Sequence, residues 1–417
     1  VTTVPATFAL DYVNQAPAVS GIQSAYTLTQ GQDTVITATG TDPEGDAITW
    51  SYEEVMEAGS GYVIVGAFLD DDNATDSGSV YVYDANNLSA QPTKLTAFDG
   101  AASDNFGISI ATAADKIVVG AYGEESNTGS VYVYDVNNLS ATPTKLTAFD
   151  GATGDYFGQS VVATADKIAV GASYDDDNGT SSGSVYVYDA NDLSAQPTKL
   201  TAFDGDGGDL FGGKLAVSGD KLIVSAQQDE TDNNIAGSGS VYVYDINNLS
   251  ATPTKLTAFD GAASDYFGSF IYATADRIVV GAFGDESNTG AVYVYDANDL
   301  SAQPTKLTAF DGAASDQFGW SIAAADDKIF VGARSDNSSS GSVYVYDANN
   351  LSAQPTKLTA FDGATGDYFG QSIAAADDKI IVSAYGNNSF TGSVYVYDAN
   401  DLSATPTKLT AFDAAEY

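Results

Sequence analysis

Short apolar segments alternate with polar stretches along most of this chain of 417 residues, and they recur at a nearly constant spacing. The most regular segment is Val-Tyr-Val-Tyr-Asp, and its seven copies begin at Val80, Val131, Val185, Val241, Val292, Val343 and Val394. Successive copies lie 51, 54, 56, 51, 51 and 51 residues apart. A fixed period of roughly 50 residues indicates that one supersecondary unit is repeated along the chain.

Each unit contains four segments of strand length, separated by residues typical of turns. In the third unit these segments, which we call strands A to D, span residues 157–162, 168–172, 185–188 and 198–203. Strand C alternates Val and Tyr and has no polar side, which predicts a strand that is covered on both faces.

Four-stranded blades arranged around an axis cover their strands in this way, and β-propellers typically have about four to eight such blades. The repeats therefore predict an all-β fold, namely a seven-bladed β-propeller of four-stranded antiparallel blades with a short N-terminal β extension. A β-solenoid is the main alternative, but its repeats are usually shorter and do not need four antiparallel strands.

Two short motifs recur in register within these units. Phe-Gly opens strand A six times, at Phe106, Phe157, Phe211, Phe267, Phe318 and Phe369. Gly-Ala or Ser-Ala ends strand B seven times, starting at Gly66, Gly120, Gly171, Ser225, Gly281, Gly332 and Ser383. Over residues 49–417 this pattern resembles the FG-GAP repeat of the integrin-α propeller and its bacterial relatives. The resemblance implies a secreted or cell-surface protein that binds or adheres.

The first unit lacks Phe-Gly. Each Phe lies 14 residues before the Gly or Ser that ends strand B, and counting back 14 from Gly66 reaches Tyr52. We therefore expect Tyr52 in the Phe position and residues 52–55 as the innermost strand of blade 1. The ring then opens with strand A and closes with strand D, so no blade is shared between the chain ends.

Residues 1–48 do not repeat and form a separate predicted unit before the propeller at 49–417. Residues 16–19 and 34–39, followed by Asp42-Pro43-Glu44-Gly45-Asp46, resemble the opening of a bacterial cadherin-like or Ig-like domain. About three strands are too few for such a sandwich, which needs about seven. The segment is expected either to pack on the propeller or to be completed by another chain, because an incomplete sheet exposes unpaired backbone groups.

The charge balance is extreme, with 56 acidic against 15 basic residues and a net charge of −41. Such a field repels nucleic acid, whose binding is driven by Lys and Arg. No apolar run of 18 residues is present, so membrane insertion is not expected. The acidity either keeps the protein soluble in saline surroundings or provides cation sites.

The loops of an antiparallel blade alternate between two faces. The A–B and C–D turns share one face and are nearly identical from blade to blade, which indicates scaffold. The B–C loops share the other face with the D–A connections and vary in length and acidity. We therefore expect the ligand on the B–C face, at Asp70, Asp71, Asp72, Asp175, Asp176, Asp177, Asp229, Glu230 and Asp232.

Carboxylate oxygens in a flexible loop suit Ca²⁺, the one cofactor that the sequence suggests. The candidate ligands are Asp42, Glu44, Asp46, Asp70, Asp72, Asp76, Asp175 and Asp177. Consecutive Asp side chains cannot all face one ion, so solvated acidic turns are the alternative. The FG-GAP calcium loop usually lies between strands A and B, where this chain has a short turn with no matching positions. The Asp two residues before each Phe is predicted to cap a turn, at Asp104, Asp155, Asp209, Asp265, Asp316 and Asp367.

Asn-Leu-Ser sequons make Asn87, Asn138, Asn248 and Asn350 candidate glycosylation sites, although an Asn- and Ser-rich repeat also produces such matches by chance. The chain has no His and no Cys, so the usual proton shuttle and thiolate nucleophile are missing and an enzyme is not expected.

The sequence thus favours a non-catalytic, extracellular binding or adhesion propeller whose partner is a protein or glycan on a surface. The alternative is a structural subunit of an extracellular filament, sheath or virion, in which residues 1–48 join neighbouring copies.

Overall fold

The computed structural model of the protein describes residues 2–4, 26–28, 51–52, 62–68, 70, 73–84, 92–230, 235–325, 327–376, 379–384, 386–387 and 393–409. Strands from these ranges form seven four-stranded antiparallel sheets. Each sheet consists of four strands that are consecutive in the sequence, including the first and the last sheet. The predicted seven-bladed β-propeller is confirmed, and so is the prediction that no blade is shared between the chain ends.

The strand bounds of the blades, in the order A to D, are as follows. Blade 1 contains β3 (Ser51–Tyr52), β4 (Tyr62–Ala67), β5 (Ser79–Asp84) and β6 (Thr93–Leu95). Blade 2 contains β7 (Ser109–Ala113), β8 (Lys116–Ala121), β9 (Ser130–Asp135) and β10 (Thr144–Leu146). Blade 3 contains β11 (Ser160–Ala163), β12 (Lys167–Ala172), β13 (Ser184–Asp189) and β14 (Thr198–Leu200). Blade 4 contains β15 (Phe211–Ser218), β16 (Lys221–Ala226), β17 (Ser240–Asp245) and β18 (Thr254–Leu256).

The remaining blades follow the same plan. Blade 5 contains β19 (Phe270–Ala273), β20 (Arg277–Ala282), β21 (Ala291–Asp296) and β22 (Thr305–Leu307). Blade 6 contains β23 (Phe318–Ala325), β24 (Lys328–Ala333), β25 (Ser342–Asp347) and β26 (Thr356–Leu358). Blade 7 contains β27 (Phe369–Ala376), β28 (Lys379–Ala384), β29 (Ser393–Asp398) and β30 (Thr407–Leu409). Single helical turns in the B–C loops are α1 (Glu124–Asn127), α2 (Asp285–Asn288) and α3 (Asp336–Ser339), and a 3₁₀ turn spans Val136–Asn138.

The N-terminal segment contributes two described strands, β1 (Thr2–Val4) and β2 (Tyr26–Leu28), which pair antiparallel with Thr3 opposite Thr27. The other residues of 1–48, with the candidate ligands Asp42, Glu44 and Asp46, lie outside the described residues. The cadherin-like resemblance and the assembly role of this segment therefore stay predictions.

Blade 1 begins in a different register from the one expected. Ser51 lies opposite Gly66 and Tyr52 opposite Val65. In blade 3 the residue opposite Gly171 is Ser160, three positions after the Phe of Phe-Gly. Tyr52 therefore does not occupy the Phe position, because counting back a fixed distance assumed an A–B connection of constant length, and that of blade 1 is longer.

Strand C is covered on both faces, as its alternation predicts. Adjacent residues of a strand point to opposite faces of the sheet. Val185 and Val187 pack in one cluster with Phe211 of blade 4, whereas Tyr186 packs in another with Val131 of blade 2. Each Val-Tyr-Val-Tyr segment therefore contributes to the cores on both sides of its blade.

Two glycines explain why Gly-Ala and Phe-Gly recur together. A Cβ atom on Gly171, at the end of β12, would lie 2.1 Å from the carbonyl oxygen of Gly212 in the next blade. The Ser160 hydroxyl donates a hydrogen bond of 2.7 Å to that same oxygen. Gly212 itself has a φ of +89°, a conformation that side chains disfavour. The Gly-Ala motif of one blade therefore contacts the Phe-Gly motif of the next blade so closely that neither glycine has room for a side chain.

A polar cluster, which we call the carboxylate latch, joins each of blades 2 to 7 to the blade before it. In blade 5 it consists of Tyr293, Lys306 and Asp285 together with Asp260, which follows strand D of blade 4. The Tyr293 hydroxyl lies 2.7 Å from Asp260 and 3.0 Å from Asp285. Lys306 Nζ lies 2.7 and 2.8 Å from the same two carboxylates and 5.4 Å from the centre of the Tyr293 ring. The Lys306 ammonium and the Tyr293 hydroxyl thus each contact two carboxylates, one from blade 5 and one that follows blade 4.

The latch recurs around the ring. The equivalent sets are Tyr132, Lys145, Asp99 and Glu124; Tyr186, Lys199, Asp150 and Asp175; Tyr242, Lys255, Asp204 and Asp229; and Tyr344, Lys357, Asp311 and Asp336. In blade 7 Asn387 replaces the acid of the B–C loop and accepts from Lys408 at 2.9 Å. A phenylalanine also packs edge-on against each latch tyrosine, as Phe259 does against Tyr293 at 5.8 Å.

The latch shifts the pKa values of its members. Burial alone raises the pKa of Asp260, but the hydrogen bonds from Lys306 and Tyr293 outweigh burial and hold it below its ordinary value. The pKa of Lys306 is raised for the complementary reason: its hydrogen bonds and charge attraction to Asp260 and Asp285 exceed the effect of its own burial. These directions favour the ionised forms of Asp260 and Lys306 near neutral pH.

The Asp before each Phe caps a turn, as predicted. Asp209 accepts a hydrogen bond of 2.6 Å from the backbone N–H of Asp206, and the same bond recurs at Asp104, Asp155, Asp265, Asp316 and Asp367. Burial raises the pKa of Asp209 to about 6, although the hydrogen bond from the Asp206 backbone lowers it. The negative charges of Asp229 and Asp206 add to the rise.

Tyr293→Phe is expected to destabilise the protein by about 1 to 3 kcal/mol, because the buried Asp285 and the exposed Asp260 lose the hydroxyl donor that they share. Tyr295→Phe is the matched control, since among the described residues the Tyr295 hydroxyl donates to the neutral carbonyl of Thr257 and to no carboxylate. The urea midpoints of both variants measure the difference. A control variant that is at least as unstable as Tyr293→Phe contradicts the importance of the latch.

Asp209→Asn is expected to stabilise the protein at pH 8 by about 1 kcal/mol, with the gain shrinking towards pH 4. The folded-state pKa of Asp209 is about 6 against 3.8 for the free side chain, so its favourable contribution is complete below 3.8 and is lost as the pH rises through 6. Thermal melting across this range tests the sign. Glu125→Gln, which removes one exposed charge from the same face, controls for general repulsion; an equal effect of both variants refutes the local cause.

Candidate ligand-binding face

The structure corrects the interpretation of three predicted ligand residues. Asp70, Asp175 and Asp229 are only 6%, 2% and 2% exposed, because they are the B–C loop acids of carboxylate latches. Lys94, for example, lies 2.9 Å from Asp70. The sequence does mark this structural role. The residue four positions after the Gly or Ser of the Gly-Ala or Ser-Ala motif is Asp or Glu in six units and Asn in the seventh, so it is a repeated position like the rest of the scaffold.

The neighbouring acids are more exposed. Asp176, Asp177 and Glu230 lie at the surface of the B–C face, and Asp176 accepts a hydrogen bond of 2.7 Å from the backbone of Ser181. Asp71, Asp72 and Asp232 lie outside the described residues.

The predicted calcium ligands Asp175 and Asp177 do come together, but around a lysine. Both carboxylates contact Lys199, whose ammonium is the cation between them. Across the part of the chain that the structure describes, no group of three or more acidic side chains is placed to hold a metal ion. Asp76, another candidate, lies in a B–C turn with a φ of +53°. Burial raises the pKa of Tyr122, and the nearby Tyr156 and Asp76 add to that rise.

The described sequons lie on the opposite face, in exposed C–D turns. The Asn138 side-chain oxygen accepts a hydrogen bond of 2.9 Å from Ser140, and Asn248 and Asn350 accept the equivalent bond. Asp192 makes the same contact to Ser194 in blade 3. Turn formation accounts for these residues, Asn87 lies outside the described ranges, and glycosylation stays a prediction.

The residues that differ most between blades surround the centre of the B–C face. Neighbouring A strands contact each other around the axis, so the start of strand A and the end of strand B are central. The position before Phe-Gly, which we call the pre-Phe position, holds Asn105, Tyr156, Leu210, Tyr266, Gln317 and Tyr368. The position after Gly-Ala or Ser-Ala holds Phe68, Tyr122, Ser173, Gln227, Phe283, Arg334 and Tyr385. Sequence reasoning that followed acidity alone missed both positions.

Three tyrosines form a cluster on blades 2 and 3, which we call the tyrosine trio. The ring centres of Tyr122 and Tyr156 lie 5.3 Å apart, and those of Tyr156 and Tyr174 lie 4.9 Å apart. Tyr174 is 39% exposed. None of the three hydroxyls donates a hydrogen bond to any described residue, which leaves aromatic surface and hydrogen-bonding groups side by side.

A second aromatic cluster lies on blades 5 and 6. Tyr266 stacks on Phe283 with ring centres 5.2 Å apart and an angle of 20° between the planes. Phe283 in turn lies 5.0 Å from Trp320. All three rings are partly exposed.

Arg334 completes this second cluster. Its guanidinium carbon lies 3.1 Å from the centre of the Trp320 ring, a cation–π contact. Its Nε donates to the Gln317 side chain at 2.8 Å and its Nη1 to Gln371 at 3.0 Å. Thirteen of the 15 basic residues lie at two repeated positions, the lysine of strand D and the Lys or Arg that begins strand B in blades 2 to 7. Arg334 is outside both positions, so its place on this face is specific to blade 6.

The backbone at the pre-Phe position is strained. All six pre-Phe residues have a φ between +54° and +58°, among them Tyr156, Tyr266 and Tyr368. This left-handed conformation costs an ordinary residue about 1 to 2 kcal/mol, and Gly or Asn normally occupies it. Three tyrosines are held there against this cost, and strain of this kind clusters at functional sites.

The fold and this face define a propeller with an aromatic surface at one end of its axis. The FG-GAP repeat family model matches more than half of the chain, at residues 90–134, 142–188, 195–244, 252–295, 302–346 and 353–397. The chain belongs to the FG-GAP repeat family. Each matched segment runs from strand D of one blade to strand C of the next, and so contains both acid positions of one latch.

Solved structures show the same fold. The β-propeller domain of the Trilobed protease from Pyrococcus furiosus, described as having an open velcro topology, is 12% identical with a TM-score of 0.51; the match covers 86% of this chain and 96% of that chain. Hydrazine synthase from Kuenenia stuttgartiensis is also 12% identical with a TM-score of 0.51, covering 92% and 99%. At this identity the likeness shows the fold alone. No curated protein matches the sequence.

None of the helical segments in the described part of the chain is long and apolar enough to cross a membrane.

Tyr156→Asn is expected to change stability by less than about 1 kcal/mol, because Asn relieves the left-handed strain while the lost ring contacts are partly exposed. Phe157→Ala, one residue later, is expected to cost about 3 to 5 kcal/mol, because Phe157 is fully buried. Urea unfolding of the two variants measures the contrast. A large loss in Tyr156→Asn indicates that the tyrosine trio is part of the core.

Proposed function

We propose that this chain is a non-catalytic binding propeller that recognises a protein or glycan on a surface outside the cell, through the aromatic centre of its B–C face. The observation that carries the proposal is the presence of tyrosine at three of the six strained pre-Phe positions. Tyr, Trp and Arg are the residues enriched at binding hot spots. They are gathered here at positions that differ between otherwise identical blades.

The alternative location, the acidic rim formed by the B–C loops, has less support. Its buried acids are engaged in latches, and its exposed carboxylates are solvated groups that contribute more to association rate than to affinity. The aromatic centre offers rigid, partly exposed apolar area, which costs little conformational entropy on binding.

The non-catalytic part of the proposal is supported by the chemistry of the described groups. The sequence has no His and no Cys. The buried carboxylates are paired with Lys and Tyr in latches or with backbone N–H groups in turn caps, which leaves them tied to structural roles. An extracellular location agrees with the family, whose repeats are typically found in extracellular domains.

The proposal is tested with fluorescently labelled protein on a printed array of glycans and surface proteins. The variant Tyr156→Asn/Trp320→Ala is expected to weaken the dominant signal at least about tenfold, because it removes one ring from each aromatic cluster. Asn137→Ala/Asn349→Ala, on the exposed C–D turns of the opposite face, is the matched control and is expected to keep the signal.

A third variant, Asp176→Asn/Glu286→Gln, separates the acidic rim from the aromatic centre. It is expected to change the signal less than about threefold, with a dependence on salt. If Tyr156→Asn/Trp320→Ala binds as the parent does and Asp176→Asn/Glu286→Gln loses the array signal, the proposal is wrong and the acidic rim is the contact surface.

A further inference from the structure

Two neighbouring segments at the boundary of blades 3 and 4 differ from the corresponding segments one blade earlier. The B–C loop of blade 3, residues 173–183, is longer than that of blade 2, and the D–A connection of blade 4 carries Gly207-Gly208 in place of Thr153-Gly154. The two segments touch: a Cβ on Gly179 would lie 3.0 Å from the Gly207 nitrogen. The backbone N–H of Leu210 donates to Ser181 at 3.2 Å.

The two segments border a depression of about 430 Å³ that is open to solvent and lies beside the tyrosine trio. Its volume is within the usual range of small-molecule sites. It is lined by Tyr174, Thr180, Ser181, Gly207, Gly208, Leu210 and Gln228. We call it the blade 3–4 groove.

The groove has one apolar wall and several polar ones. Tyr174 is the most exposed member of the tyrosine trio, and Tyr156 packs against it at an angle of 62°, which fixes the ring. Leu210 is buried in the floor. Thr180, Ser181 and Gln228 supply hydroxyl and amide groups, each of which donates and accepts hydrogen bonds.

This combination matches a sugar residue. The face of an aromatic ring carries partial negative charge and attracts the weakly positive C–H groups on one side of a pyranose. Hydroxyl and amide groups around that ring match the ring of hydroxyls on the sugar. Gly207 and Gly208 lack side chains, so the backbone can approach the ligand closely.

The surrounding charge selects among sugars. Asp176, Asp177, Asp206 and Glu230 are exposed on the two segments and the B–C loop that border the groove. The nearby Lys199 is engaged by three carboxylates of its own blade and the preceding one. A uronate or sulfated sugar therefore meets like charge, whereas an uncharged sugar does not.

We propose that the blade 3–4 groove is a subsite for an uncharged oligosaccharide, with one sugar ring stacked on Tyr174 and its hydroxyls bonded to Thr180, Ser181 and Gln228. This inference rests on the proposed function and names the ligand class for one part of the B–C face.

The test is isothermal titration of the whole chain with three uncharged probes, cellohexaose, laminarihexaose and mannohexaose, and with the anionic hexamer of galacturonate. At least one uncharged hexamer is expected to bind with a Kd between about 10 μM and 1 mM. Tyr174→Ala is expected to weaken that binding at least about tenfold and Gln228→Ala about threefold. The galacturonate hexamer is expected to bind at least about tenfold more weakly at low salt.

Asn191→Ala is the matched control, since it alters an exposed turn of the same blade on the opposite face, and it is expected to bind as the parent does. Thermal melting checks that Tyr174→Ala is folded, as its exposed position predicts. Absence of binding by every uncharged hexamer at about 10 mM overturns the groove proposal. Unchanged binding in folded Tyr174→Ala, or equal binding of galacturonate, overturns it as well.

The two proposals fail separately. If the hexamers do not bind but the array signal still requires Tyr156 and Trp320, the groove is not a sugar subsite and the aromatic face still binds another ligand. If the hexamers bind through Tyr174 but the array signal survives Tyr156→Asn/Trp320→Ala, the groove proposal stands and the wider aromatic face is not the contact surface.

Discussion

Two carboxylates from consecutive blades share one lysine ammonium and one tyrosine hydroxyl, and the rest of the structure depends on this contact. Buried charges stabilise a fold only when each is paired and hydrogen-bonded, and a single unpaired member is strongly destabilising. In blade 5 all of the four groups, Tyr293, Lys306, Asp260 and Asp285, are satisfied at once. In blades 2 to 7 the latch therefore fixes the position of a blade relative to the previous one, in addition to the apolar packing of strand C.

The latch also explains the distribution of charge. Seven of the 15 basic residues are the lysines of strand D; those of blades 1 to 6 form ion pairs with a buried acid, and Lys408 of blade 7 pairs with the exposed Asp362. The cations are thus used within the scaffold, and the surface keeps most of the excess negative charge. A partner of the B–C face consequently meets an anionic rim around an aromatic centre, which disfavours anionic ligands and favours uncharged or cationic ones.

Much of the fold could be predicted from the sequence because its signals are local and repeated. The alternation of strand C, the Phe-Gly and Gly-Ala motifs and the Asp caps each depend on residues within one unit. The start of blade 1 was mispredicted for a related reason: Tyr52 was placed by a spacing that only the repeated units share. Asp70, Asp175 and Asp229 appeared to be surface acids, because their lysine and tyrosine partners lie 11 to 26 residues away and the pairing is visible only in the folded blade.

By itself, the sequence determined the number of blades, the order of strands within each blade and the residues that face its neighbours, because period and alternation act over a few residues at a time. Only the tertiary structure decided that Tyr122, Tyr156 and Tyr174 meet, since Tyr122 belongs to blade 2 whereas Tyr156 and Tyr174 lie in two separate loops of blade 3. It also decided which acids are scaffold and which are surface. The physical reason is the same in both cases: contact between blades depends on the geometry of the ring, which no single repeat contains.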